Sequence, residues 1–186
     1  VLCVMAMAMS KTALVAKRYS GLIRLAKMLG VIIVIHSKQN TSSAVMQQRY
    51  EAHDSLDDFP TPPWATRAIC EELQYLIGIR KDETCREPCA NRGYMARPLA
   101  EYFENVEASD VHDYGAGYPI RDYLFGLDPN EVDWTFMNPP FRLAEEFIQR
   151  ARRTSRNGVA VIVRSAFTES AGRYERLFRD TPPTYE

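Results

Sequence analysis

Four consecutive residues, Asn138-Pro139-Pro140-Phe141, have the chemistry to handle a planar amine. Asn138 can offer an exocyclic amino group both a carbonyl acceptor and an amide donor. Two prolines fix the backbone and remove two N–H groups, which makes a stiff loop. Phe141 adds a flat apolar face on which a base can stack. A plain chain reversal would favour Asn-Gly or Pro-Gly, because Pro-Pro reverses a chain poorly. Two acids accompany this loop. Glu87 opens the run Glu87-Pro88-Cys89-Ala90-Asn91-Arg92-Gly93, where Asn91 tolerates left-handed backbone and Gly93 permits close approach of a ligand. A strand that ends in an acid and turns through small residues into a helix leaves backbone N–H groups facing a crevice. Asp110 follows 23 residues after Glu87 and is spaced to accept hydrogen bonds from ribose hydroxyls. The plainer alternatives are a βα turn at Glu87 and a turn or helix-capping aspartate at Asp110. The glycine fingerprint of dinucleotide-binding turns is absent, which argues against a nicotinamide or flavin cofactor.

The elements that must position these residues alternate between strand and helix. Three prolines make 57–64 an extended loop. Apolar residues at helical spacing predict helices over 64–79, 94–104 and 142–156. Strands are expected over 83–89, 105–111, 132–137 and 158–163. The last of these is apolar throughout, as for a parallel strand buried on both faces. Strands separated by such helices imply an α/β, Rossmann-like, doubly wound and mostly parallel sheet. Ligands in these sheets sit at the carboxyl ends of the strands. Glu87, Asp110 and Asn138 all fall at such ends.

Composition narrows the class further. Hydrophobic residues make up 46% of the 186 and charged residues 25%, as in a soluble globular domain, and no apolar run is long enough to span a membrane. Residues 1–46 carry six Lys/Arg and no acid, which leaves 17 basic against 24 acidic residues in 47–186. A boundary is therefore placed at the polar stretch 37–48. The basic extension 1–46 reads as a short amphipathic helix over 11–29, or as a non-native or poorly ordered segment ahead of a start at Met46. The apolar run 31–35 fits a buried strand or a helix end. Residues 47–186 are expected to form the main, catalytic domain. Cys3, Cys70, Cys85 and Cys89 have no zinc-ligand spacing, so no metal is expected. They read as free thiols in a reducing cytosol, with Cys85 and Cys89 on one face of their strand.

On these residues the chain resembles the amino-methyltransferases, in particular the N6-adenine DNA methyltransferases of bacteria and phages. It shares their Asp/Asn-Pro-Pro-Tyr/Phe tetrapeptide, and the likeness covers about residues 55–170. The resemblance implies a class I methyltransferase sheet that uses S-adenosylmethionine to methylate N6 of adenine in DNA. Thr61-Pro62-Pro63 is similar to the segment meeting the methionine carboxylate of the cofactor. The run from Glu87 to Gly93, through Pro88 and Ala90, is similar to the first cofactor motif, with Asn91 where glycine is more usual. Asp110 corresponds to the ribose acid. Asp122 is similar to the residue contacting the cofactor adenine, with Tyr123 beside the ring. Family members continue into further strands and a target-recognition region, so this chain is expected to be truncated at its C-terminus. Arg142, Arg150, Arg152, Arg153 and Arg156 could meet DNA phosphates or form a solvated helix face. Glutamine-N5 or guanine-N2 methylation, and a non-catalytic remnant, are the alternatives.

Overall fold

The computed structural model describes the backbone of residues 2–8 and all of residues 58–183. The expected helix at 11–29, the run 31–35 and the boundary at 37–48 lie outside the described residues. In chain order the elements are β1 (Leu2–Ala8), α1 (Pro63–Ile77), β2 (Thr84–Glu87), α2 (Ala96–Tyr102), β3 (Asn105–Ala108), β4 (Val132–Met137), α3 (Ala144–Thr154) and β5 (Ser155–Arg164). Short helical turns at Ser165–Phe167, Ala171–Arg173 and Tyr174–Phe178 follow.

Strand order across the sheet is β1-β5-β4-β2-β3. The four strands β5, β4, β2 and β3 are parallel, and β1 runs antiparallel along β5 from Leu2 opposite Arg164 to Ala8 opposite Gly158. The fold is thus α/β with a small parallel sheet flanked by helices. No strand at 2–8 was expected from the sequence, where the run reads only as an apolar start. From β2 the chain pairs β3 on one side and then crosses back to pair β4 on the other. This reversal opens a crevice outside the carboxyl end of β2, where ligands bind in open α/β sheets.

The core divides along the two faces of the sheet. Val159, Val161 and Val163 of β5 pack with Phe147, Ile148 and Ala151 of α3. Ala160 and Ile162 point the other way, into a cluster with Ile69 and Leu73 of α1, Leu99 of α2, and Phe136. Alternate residues of one strand therefore feed two cores, which is why β5 carries no polar–apolar alternation over 158–163.

Element ends differ from the sequence expectation for local reasons. Pro63 starts α1 at a position where the missing N–H costs nothing. The helix stops at Ile77 rather than 79, because Gly78 takes φ 71° and returns its N–H to the carbonyls of Leu73 and Gln74. β2 ends at Glu87, so Cys89 lies beyond the strand and not on one face of it with Cys85. Cys70, Cys85 and Cys89 are free thiols.

Glu83 ties the amino ends of three strands together. Its buried carboxylate accepts from Trp134 Nε1 at 3.0 Å, from Asn157 Nδ2 at 3.1 Å and from the Arg80 N–H at 3.0 Å. Glu83→Ala strands an indole N–H and a carboxamide together, each costing about 1–3 kcal/mol when left without a partner. The expected loss of stability is about 3 kcal/mol, read from the urea midpoint. A change below about 0.5 kcal/mol would mean that water replaces the carboxylate.

Candidate functional site

A crevice forms at the carboxyl ends of β2, β3 and β4. Thr61, Glu87, Pro88, Ala90, Asn91, Asp110, Tyr123, Asn138 and Pro140 all line it. The parallel sheet brings them together because each follows its strand or abuts one that does. Phe59, Pro60, Tyr94, Met95, Val111, Tyr114 and Phe147 line the same cavity although none stood out in the sequence, and so does Cys89, which read there as a free thiol. Met95 and Phe147 lie in the segments expected to be helical, 94–104 and 142–156. Tyr114 lies in a loop and carries no sequence signal.

Asn138 is held in one orientation. Its Nδ2 donates to the Phe59 carbonyl at 2.8 Å and to Thr61 Oγ1 at 3.1 Å. A backbone carbonyl can only accept, so the amide nitrogen must face Phe59 and Thr61. Among the described residues nothing donates to Asn138 Oδ1, which is left as the side chain's acceptor. Thr61 therefore positions Asn138, a role its place beside two prolines does not announce.

The turn after β2 departs from expectation in an instructive way. Asn91 does adopt left-handed backbone, at φ 49°. Yet the N–H groups expected to face the crevice are engaged within the protein: Ala90 to the Ser109 carbonyl, Asn91 to Asp110 Oδ2, Arg92 to Asn91 Oδ1 and Gly93 to the Ala90 carbonyl. The turn is consequently not a phosphate cradle. Asn91 Nδ2 also donates to Asp58 Oδ1 at 2.8 Å, which a glycine could not do. Its hydrogen bond and the Arg92 guanidinium hold the Asp58 carboxyl below its usual range. Asn91 thereby fastens the 58–61 segment over the cavity. Gly93 does not line the crevice: a Cβ there would collide with the Tyr118 hydroxyl, so the close approach it permits is to Tyr118 and not to a ligand.

The acids differ in kind. Glu87 is 1% exposed and its Oε2 has no partner, a polar atom aimed at nothing in the protein itself. Burial first, and the neighbouring Asp110 second, push its pKa well above the usual glutamate value. Asp110 is half-buried and caps two backbone N–H groups, of Asn91 at 2.8 Å and His112 at 3.1 Å. It therefore performs the turn role, with lone pairs remaining for a ligand hydroxyl. Raising a folded-state pKa makes an acid's contribution favourable below its unfolded value and lost as pH climbs through the folded one. Glu87→Gln is accordingly expected to melt above the parent at about pH 8 and level with it at about pH 4. Scanning calorimetry at both pH values decides; an equal offset at each would mean that ionisation of Glu87 is not what burial penalises.

Other expected site residues fall elsewhere. Asp122 is exposed, and its Oδ1 accepts the Leu124 N–H at 2.9 Å instead of joining the cavity. Tyr123 presents part of its ring to the cavity but is a core residue, 7% exposed and 5.2 Å from Phe147. Pro62 and Pro63 are exposed at the start of α1. Pro139 is buried behind the loop, and Phe141 sits just outside the cavity, 5.4 Å from the Phe59 ring with the Arg164 guanidinium 4.4 Å over it. The arginines of α3 are largely engaged internally: Arg150 holds the Gly126 and Leu127 carbonyls and pairs with Asp128, Arg152 donates to the Leu177 carbonyl, and Arg153 pairs with Asp128. Arg156 of β5 pairs with Asp133. Arg150 and Arg152 thus hold the fold together, while Arg153 and Arg156 form ion pairs at the exposed surface.

Among the described residues no group of His, Cys, Asp and Glu is placed to hold a metal, and no helix is long and apolar enough to cross a membrane. No protein-family model matches the chain, and neither does any curated protein. The arrangement itself is an acid-lined crevice with hydroxyl-accepting oxygens, its nearby N–H donors already engaged, and one carboxamide oxygen held open at its end.

Proposed function

We propose that the chain is an S-adenosylmethionine-dependent methyltransferase of the class I type, acting on an exocyclic amine, with N6 of adenine in DNA as its substrate. The observation that carries this reading is Asn138, clamped through its nitrogen by Phe59 and Thr61 so that its oxygen is the group left to meet an N–H. The cofactor fits the residues present. Glu87 has an unpartnered buried oxygen where a ribose hydroxyl could donate, and Asp110 lies beside it. The Asp110 carboxylate beside an unpartnered acid, with the turn's N–H groups already engaged, suits a hydroxylated ligand better than a pyrophosphate.

Bound there, S-adenosylmethionine supplies a methyl group already activated by its sulfonium centre. The chain's residues do the rest by position. Asn138 Oδ1 accepts an N–H of the target amine, which draws its nitrogen toward tetrahedral geometry and frees the lone pair for attack. The stiff Pro139-Pro140 backbone holds that oxygen in place, and such orientation accounts for most of the acceleration. Phe141 and Phe59 offer aromatic faces beside Asn138 for a planar substrate turned out of its stack.

The test is incubation of the full chain with methyl-labelled cofactor and unmethylated DNA, RNA or protein. Label appearing as N6-methyladenine in DNA is the expected result. Label on guanine N2 or on a glutamine amide would keep the chemistry and replace the substrate. No transfer to any of the three, with cofactor bound, would leave a cofactor-binding protein without this activity.

A further inference from the structure

Arg86 carries donors that the protein does not use. It belongs to β2, next to Glu87, but faces the opposite side of the strand from Cys85. Its side chain is 5% exposed. Nε and Nη2 donate to Glu107 Oε2 at 3.2 and 2.8 Å, and Nη2 also reaches the Asn130 carbonyl at 2.6 Å. Nη1 is buried with no partner at all. A guanidinium has five N–H donors and no acceptor, so a nitrogen without a partner is left unsatisfied here. Arg86 also lines a second cavity, separate from that of Asn138, together with Glu107, Ser109, Tyr118, Pro119 and Arg121.

The chemistry of that cavity is specific. Two arginines and one glutamate leave it one formal positive charge. A monoanion neutralises this, whereas a phosphate dianion would overshoot beside the Glu107 carboxylate. A planar carboxylate matches the flat fork of a guanidinium, and Ser109 and Tyr118 belong to the same lining. We propose that this cavity binds the carboxylate of a small monoanionic ligand, with the Arg86 guanidinium as its buried cation and the exposed Arg121 at its rim. The site touches the first cavity through one segment. Arg121 donates its N–H to the Asp110 carbonyl at 2.7 Å, and Asp110 donates to the Pro119 carbonyl at 3.2 Å. The wall of the carboxylate cavity therefore also holds Asp110 in place.

The full chain should be titrated with sodium acetate, sodium phosphate and sodium chloride at matched ionic strength, following melting temperature and arginine side-chain NMR signals. Acetate is expected to raise the melting temperature to a plateau and to shift one buried guanidinium signal, while chloride and phosphate do neither. Arg121→Ala, exposed and outside the first cavity, should fold as the parent and bind acetate on the order of tenfold more weakly. A rise without plateau that is equal for all three salts would overturn the proposal, as would tighter binding of phosphate than of acetate. So would an unchanged acetate affinity in Arg121→Ala.

Discussion

Asn138→Ala slows methyl transfer by on the order of a hundredfold and changes cofactor affinity by less than about threefold, if Oδ1 is the acceptor for the target amine. The size follows from where the lost group acts. An acceptor fixed in advance gains most as charge develops on the attacking nitrogen and less in the ground state, so kcat falls and binding does not. A second effect accompanies it. The same substitution removes both hydrogen bonds from Asn138 Nδ2 to Phe59 and Thr61, which costs about 1–2 kcal/mol of stability. Asn138→Asp separates the two, since it keeps an acceptor oxygen and loses both donors. Its stability should fall as in the alanine variant while more of its transfer survives. Single-turnover rates with calorimetric cofactor affinity for both variants are the measurement. Near-parental transfer in Asn138→Ala would remove this side chain from the reaction.

Asp110→Ala is expected to weaken cofactor binding at least about tenfold and to destabilise the chain by about 2 kcal/mol. Asp110 serves two purposes at one position. Its carboxylate accepts the N–H groups of Asn91 and His112, which holds the left-handed turn in place, and its remaining lone pairs face the crevice. Losing the first role frees Asn91, whose φ of 49° is tolerated only while its neighbours hold it. Losing the second deletes the acceptor that the ribose of the proposed cofactor would use. Affinity must be measured where both proteins are fully folded, so that the stability loss does not masquerade as weak binding. Parental affinity in a folded Asp110→Ala would leave Asp110 as a turn residue alone.

The contrast between the two positions explains what could be read from residues in order. Asn138, Glu87 and Asp110 were legible because strand ends in a parallel sheet converge, and the strands showed themselves by apolar runs of the right length. Gly93 was legible as a position needing a small residue, but its partner was not: Tyr118 lies 25 residues on, and only folding brings its hydroxyl there. Asn91 looked like a departure from a glycine pattern. In three dimensions it is a tie to Asp58, 33 residues upstream. The arginines from 150 to 156 could have met phosphate or formed a solvated helix face; in the fold Arg150 and Arg152 reach the carbonyls of Gly126 and Leu177, and Arg153 and Arg156 pair with Asp128 and Asp133.

By itself, the order of residues determined the α/β alternation, the parallel character of the 158–163 strand and the three strand-end residues that face one crevice. These follow from periodicity and burial, which act over a few residues. Tertiary structure decided the rest: which way the Asn138 amide points, that Glu87 is left without a partner, that Asp122 stays outside, and that Leu2–Ala8 lies along β5. The Asn138 and Leu2–Ala8 contacts join positions far apart in the chain that only packing makes neighbours, whereas Asp122 is held by the Leu124 N–H two residues on.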